Sequence, residues 1–95
     1  MEIEFLSSEQ NINPEDDNAD VLVHLDDGRE LLFLIATPNN LYRSMDNEGC
    51  DYYFGVPPLI VRRLTRSNIE RAIVALLEVP EWLTVYATQQ TDDSG

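Results

Sequence analysis

The segment from Asp20 to Ala36, DVLVHLDDGRELLFLIA, constrains the fold more than any other part of the chain. Two apolar runs flank Asp27-Gly28, a dipeptide that readily adopts the positive φ angles of a tight hairpin turn. The first run alternates between its two faces, whereas the second run, from Leu31 onward, is apolar on both. We therefore predict a hairpin whose second strand lies at the centre of a sheet and is covered by a helix.

A short amphipathic helix is predicted after the hairpin, from about residue 38 to residue 48. Thr37 can accept a hydrogen bond from the first turn, and Pro38 suits the first helical position. Gly49 can take the left-handed conformation just beyond the last turn. Both ends of this helix are thus marked in the sequence.

A second helix is predicted near residues 68 to 78. Ser67 and Glu70 have the spacing of a capping box, in which each side chain binds a backbone amide of the other's turn. Pro80 is expected to end the helix, since proline does not continue one. The apolar residues on its inward face are Ile69, Ala72, Ile73, Leu76 and Leu77.

Further strands are predicted at residues 1–6, 51–55, 59–64 and 82–87. The order of strands, helix, strands, helix and strand predicts an α+β fold, with an antiparallel sheet of about four to six strands and two helices on one face. Residues 1–95 are expected to form a single domain. Within it, residues 7–19 have the composition of a mobile acidic loop, and residues 88–95 form a polar tail.

The chain is strongly acidic. Eighteen Asp and Glu residues stand against six arginines and no lysine, for a net charge of −12. Thirteen of the acids and two of the arginines precede residue 59, so this part carries −11. Such a surface repels nucleic acids and anionic membranes, attracts a basic protein partner and also favours solubility.

Targeting and redox signals predict a cytoplasmic protein. No apolar run approaches the roughly 18 to 20 residues that cross a bilayer. Glu2 and Glu4 lie where a secretory signal carries positive charge. Cys50 is the single cysteine, so the chain has no internal disulfide.

Catalytic, metal and cofactor sites are not predicted. A catalytic thiol needs a neighbouring base, and Cys50 follows a helix C-terminus, whose dipole disfavours a thiolate, while His24 lies within a strand. One histidine and one cysteine are too few for a structural zinc site. The glycines are isolated and form no phosphate-binding loop. We therefore expect a protein that is not an enzyme.

The stretch LIVRRLTRSNIERA, residues 59–72, holds four of the six arginines: Arg62, Arg63, Arg66 and Arg71. Two interpretations remain open. The guanidinium groups can balance acids of the same chain, because arginine pairs well with carboxylates. They can also form a binding site for a carboxylate or phosphate group.

The segments VHLDDGRELLF, ATPNNLYR, YYFG and LIVRRLTRSNIERAI resemble small bacterial proteins whose function is not characterised. In size and acidity the chain is similar to toxin-immunity proteins. The resemblance supplies no catalytic or ligand-binding residue. By analogy it favours an inhibitory role in the cytoplasm.

These observations predict a non-catalytic acidic binding protein, of inhibitor or immunity type, that engages a basic site on a protein partner. The residues expected to contact the partner are Glu15, Asp16, Asp17, Asp26, Asp27, Glu30 and Tyr53. An alternative is an assembly module that forms a homodimer through an edge strand within residues 51–64. A third hypothesis is a small enzyme that uses carboxylates such as Asp26, Asp27 or Glu30.

Overall fold

A computed structural model describes residues 1–90 of the chain and confirms the α+β fold class. The strands are β1 (Glu2–Phe5), β2 (Asn18–His24), β3 (Glu30–Ala36), β4 (Leu59–Ile60) and β5 (Ala87–Gln90). The helices are α1 (Pro38–Glu48), α2 (Arg66–Leu77) and α3 (Pro80–Tyr86), and a single 3₁₀ turn covers Glu9–Asn11. No helix within residues 1–90 combines the length and apolarity needed to cross a bilayer.

Strands β1, β2 and β3 pair in sequence order and antiparallel, and β3 is central as predicted. The far side of β3 is shared by two short strands. Its first half pairs antiparallel with β5, and its last two residues pair with β4. The β3–β4 pair is parallel, because α1 carries the chain back across the sheet.

The β2–β3 hairpin forms in the expected place with a different turn. The amide of Leu25 donates to Arg29 O at 2.9 Å, and the amide of Gly28 donates to Leu25 O at 3.0 Å. Gly28 has a φ of +93°, whereas Asp27 has a negative φ. The loop is therefore a three-residue connection ending in a left-handed glycine, not the two-residue turn that Asp-Gly predicts.

The hydrophobic core lies on one face of the sheet. Val21, Val23, Phe33 and Ile35 are fully buried there, against inward residues of α2 and Leu83 of α3. The residues predicted to face inward on α2 do so: Ile69, Ile73 and Leu76 are buried, and Ala72 and Leu77 pack against the core. The opposite face carries three half-buried leucines, namely Leu22, Leu32 and Leu34.

The capping prediction is confirmed for α1 and wrong for α2. Thr37 accepts a bond from the Asn40 amide at 3.3 Å, and Gly49 has a φ of +68°. At α2 the cap is Thr65, which accepts from the Asn68 amide at 3.2 Å. Ser67 already lies inside the helix, because the chain turns helical directly after the extended Thr65.

The C-terminal part departs from prediction. Residues 82–87, expected as a strand, lie mostly in α3, because Pro80 begins this helix as well as following α2, and Leu83 packs into the core. The strand begins only at Ala87. The predicted tail at 88–95 thus starts within β5, and its residues 91–95 lie outside the described residues.

The stretch between α1 and α2 forms less sheet than predicted. Residues 51–55 form no strand, and the chain stays irregular as far as Pro58. Pro57 and Pro58 themselves cannot donate ladder hydrogen bonds. The strand predicted at 59–64 is limited to β4. Beyond it the Val61 amide still donates to Ala36 O at 3.0 Å, and the chain then bends so that the Leu64 amide reaches Pro14 O at 2.8 Å.

Candidate protein-binding surface

Glu15, Asp16 and Asp17, the loop acids, precede β2 and are tied into the fold. The Asp17 carboxylate accepts bonds from the amides of Asn13 and Asn18, at 3.1 and 2.9 Å. The Asp16 carboxylate lies 3.4 Å from Nε of Arg43 without a well-aligned hydrogen bond. The segment predicted as a mobile loop, residues 7–19, therefore makes specific contacts with the rest of the chain, and β2 begins within it.

Further contacts join this segment to α1 and to the stretch that precedes α2. The Asn39 side chain donates to Glu15 O at 3.0 Å, and Asn18 donates to the buried Asn40 at 3.2 Å. Arg63 lies 3.9 Å from the Glu15 carboxylate. The loop acids thus help to fix the start of β2, which limits how far they are free to bind a partner.

Asp26, Asp27 and Glu30, the turn acids, lie at the other end of β2. The N-terminal amine of Met1 donates to Asp26 at 2.8 Å, and Asp27 accepts from Nε of Arg29 at 2.8 Å. The hydrogen bond from the Arg29 backbone amide lowers the pKa of Asp27 below its usual value.

The six predicted acids do not form one surface. The seven residues of β2 separate the two groups, and a strand of this length spans roughly 23 Å. Tyr53 lies in neither group, since it belongs to the irregular stretch after α1. The structure thus places the predicted contact residues in three separate regions.

His24 links three strands on the sheet face opposite the core. Its Nε2 lies 3.1 Å from Glu4 on β1, and its Nδ1 lies 3.6 Å from Glu30 on β3. The hydrogen bond to Glu4 and the charge of Glu30 raise the pKa of His24 above its usual value. The hydrogen bond to Asp26 likewise raises the pKa of the Met1 amine.

Arg66 is the most connected arginine of the 59–72 cluster. Its guanidinium binds the Glu9 carboxylate, with the closest contact at 2.9 Å, and donates to Ile3 O at 2.7 Å. It also lies over the ring of Phe5, 5.1 Å from the centroid. These contacts favour the charge-balance interpretation, because a guanidinium held by the chain's own carboxylate is occupied.

Three of the five other arginines show the same tendency. Arg29, Arg43 and Arg63 each lie beside an acid, and Arg71 donates to the amide oxygen of Asn68. Within residues 1–90, Arg62 has no acid within ion-pair distance. Internal pairing therefore uses most of the chain's positive charge.

Several acids remain outside ion pairs in the described part of the chain. They are exposed and comprise Glu2, Asp20, Asp46, Glu48, Asp51, Glu70, Glu78 and Glu81. Because most arginines are already paired, these acids set the sign of the outward field.

Residues 50–56, the aromatic loop, expose three consecutive rings, of which sequence reasoning had singled out only Tyr53. In the strand predicted at 51–55, alternate residues would face opposite sides, so that Tyr52 and Phe54 share one face and Tyr53 takes the other. All three are exposed instead, and the rings of Tyr52 and Phe54 stack with centroids 5.9 Å apart. The Val-Pro-Pro sequence after Gly55 is the signal that pointed to irregular structure.

A shallow groove of about 330 Å³ lies beside the hairpin turn. Its walls are the side chains of Met1, Leu25 and Leu77 together with residues of the turn. The Asp26 carboxylate at its rim is bonded to the Met1 amine. The groove is therefore lined by both apolar side chains and charged residues of the turn.

The fold and its surface define a small acidic α+β domain with an exposed aromatic loop. No family model, curated protein or solved structure is significantly similar to the chain.

Proposed function

We propose that this protein is a non-catalytic, acidic binding domain that engages a basic site on a protein partner. The observation that carries the proposal is the distribution of charge after internal pairing. Arginines are largely bound to acids of the same chain, whereas acids such as Glu2, Asp20 and Asp46 face solvent without a cation. The net charge of −12 therefore lies largely on the solvent-exposed surface.

An inhibitor or immunity-type role follows from the same charge. A negative surface accelerates encounter with a cationic site, since electrostatic attraction acts before contact. A domain of this size needs no chemistry of its own to block such a site. The same field works against binding to nucleic acids or anionic lipids.

The homodimer alternative has less support in the predicted segment, residues 51–64. Residues 51–58 form no strand, and β4 is only two residues long, so its outer edge offers few backbone groups for pairing with another copy. The free edge of β1 carries Glu2 and Glu4, and charged side chains on an edge strand oppose pairing with another copy.

The test is affinity capture from the native host, followed by association kinetics at low and high salt. Rim charges act on the association rate more than on dissociation. The substitutions Asp20→Asn and Asp46→Asn together should slow association at low salt, with little effect at high salt.

Arg62→Gln is the matched control with the opposite sign. Because Arg62 has no acidic partner among residues 1–90, its removal makes the surface more negative and should speed association. An acidic partner, or an association rate that ignores both salt and these substitutions, would mean that the charge serves only solubility.

A further inference from the structure

The aromatic loop exposes three large apolar side chains close together in sequence. Phe54 is 82% exposed, Val56 71% and Tyr52 62%. The rings of Tyr52 and Phe54 stack on each other at an interplanar angle of 12°. Neighbouring apolar groups left in water are typical of interaction sites, because a partner's surface can bury them. Tyrosine is among the residues that most often dominate binding energy.

Both ends of the loop are fixed to the fold. At its start the amide of Cys50 donates to Met45 O at 3.0 Å, within the C-terminal cap of α1. At its end Pro58 is buried and Leu59 pairs with Ile35 of β3.

Hydrogen bonds within the loop hold its middle. The Tyr53 hydroxyl donates to Val56 O at 3.4 Å, and the Cys50 thiol donates to Tyr52 O at 3.3 Å. A loop held in this way presents its rings at a small entropic cost on binding.

The surroundings of the loop are acidic. Residues 44–61 contain Asp46, Glu48 and Asp51 and no basic residue. A guanidinium or ammonium group can lie on an exposed ring face while a nearby carboxylate balances its charge. A second copy of this chain is a poor occupant, because two molecules of charge −12 repel each other.

We propose that the aromatic loop is the docking site for an arginine-bearing segment of the basic partner, whose guanidinium stacks on Tyr52 or Phe54. This inference rests on the proposed function and specifies where the partner is held. The exposed acids then steer the encounter, and the rings determine how long the complex lasts.

The experiment is an NMR titration of the full chain with a short peptide that alternates arginine and glycine. Matched peptides carry lysine or glutamate in place of arginine. The amides of residues 50–56 and the ring signals of Tyr52 and Phe54 should shift most with the arginine peptide. Lysine should bind more weakly, since its compact ammonium stacks less well than a planar guanidinium.

Variants distinguish contacts with the aromatic rings from electrostatic attraction by the acidic surface. Combined Tyr52→Ala and Phe54→Ala should weaken binding about tenfold, and Phe54→Leu about threefold, since leucine keeps apolar area and loses the ring face. Trp82→Ala is the matched control, because Trp82 is a 55% exposed ring on α3. All these side chains are exposed, so melting temperatures should stay unchanged.

The outcomes distinguish the two proposals. If the shifts concentrate at Asp26 and Asp27, or if the double variant binds like the wild type, the docking site is overturned and acidic binding stands. If the arginine peptide binds no better than the glutamate peptide, both proposals fail. A concentration-dependent dimer that the double variant abolishes would assign the loop to a second copy instead.

Discussion

Replacement of Arg66 by alanine tests whether the arginine cluster acts as internal charge balance. The side chain joins three distant parts of the chain: it starts α2, binds Glu9 in the 3₁₀ turn and donates to the carbonyl of Ile3 in β1. Its guanidinium also lies 5.1 Å from the centre of the Phe5 ring. Arg66→Ala removes all of these contacts at once.

The magnitude follows from the exposure of the groups. The charged bond to Ile3 O contributes about 1 kcal/mol once solvent screening of a half-exposed side chain is allowed for. The pair with Glu9 adds about 0.5 kcal/mol, as is typical of exposed ion pairs. The contact with Phe5 adds about 0.5 kcal/mol. We therefore expect Arg66→Ala to lower the free energy of unfolding by about 2 kcal/mol.

Urea denaturation monitored by circular dichroism measures this change, and the melting temperature should fall by roughly 8 to 16 °C for a domain of this size. Arg66→Lys should recover less than half of the loss, because an ammonium group cannot bind Glu9 through a planar fork. Arg62→Ala is the control, with an expected change within about 0.5 kcal/mol. Equal destabilisation by Arg62→Ala and Arg66→Ala would refute the reasoning.

Three further outcomes are expected. The hydrogen bond to Glu4 raises the pKa of His24 above its unfolded value of 6.5. The stability that protonated His24 contributes to the fold is therefore complete below pH 6.5 and is lost as pH rises through the folded pKa. His24→Gln should remove this part of the pH dependence of urea unfolding. Gly49→Ala should destabilise the fold by about 1 kcal/mol, since alanine is strained at positive φ, and a thermal melt without that loss would contradict the cap. Thr65→Ala should lower the free energy of unfolding by about 1 kcal/mol, and Ser67→Ala should lower it much less. The reverse order in chemical denaturation would mean that Ser67 caps α2, as the sequence predicted.

Local sequence signals predicted those helices and turns that are determined by residues close to them in the chain. The hairpin around Gly28 and the bounds of α1 follow from turn and cap residues that act on their own backbone. The inward face of α2 follows from helical periodicity, which fixes Ile69 and Ile73 on one side regardless of what covers them. The acidity and its bias toward the first part of the chain are likewise properties of composition.

Tertiary packing determined the features that depend on contacts between residues far apart in the sequence. Residues 82–87 have strand-like composition, yet most of them join α3 because Pro80 and the burial of Leu83 favour a helix there. Phe54 is exposed because no element within residues 1–90 packs over its loop, which an aromatic run alone does not reveal. Glu9 and Arg66 lie 57 residues apart, so only the fold brings them together. The sequence by itself determined that the protein is acidic. The tertiary structure decided that the predicted binding acids lie at opposite ends of β2, since an extended strand keeps the residues before it and after it apart.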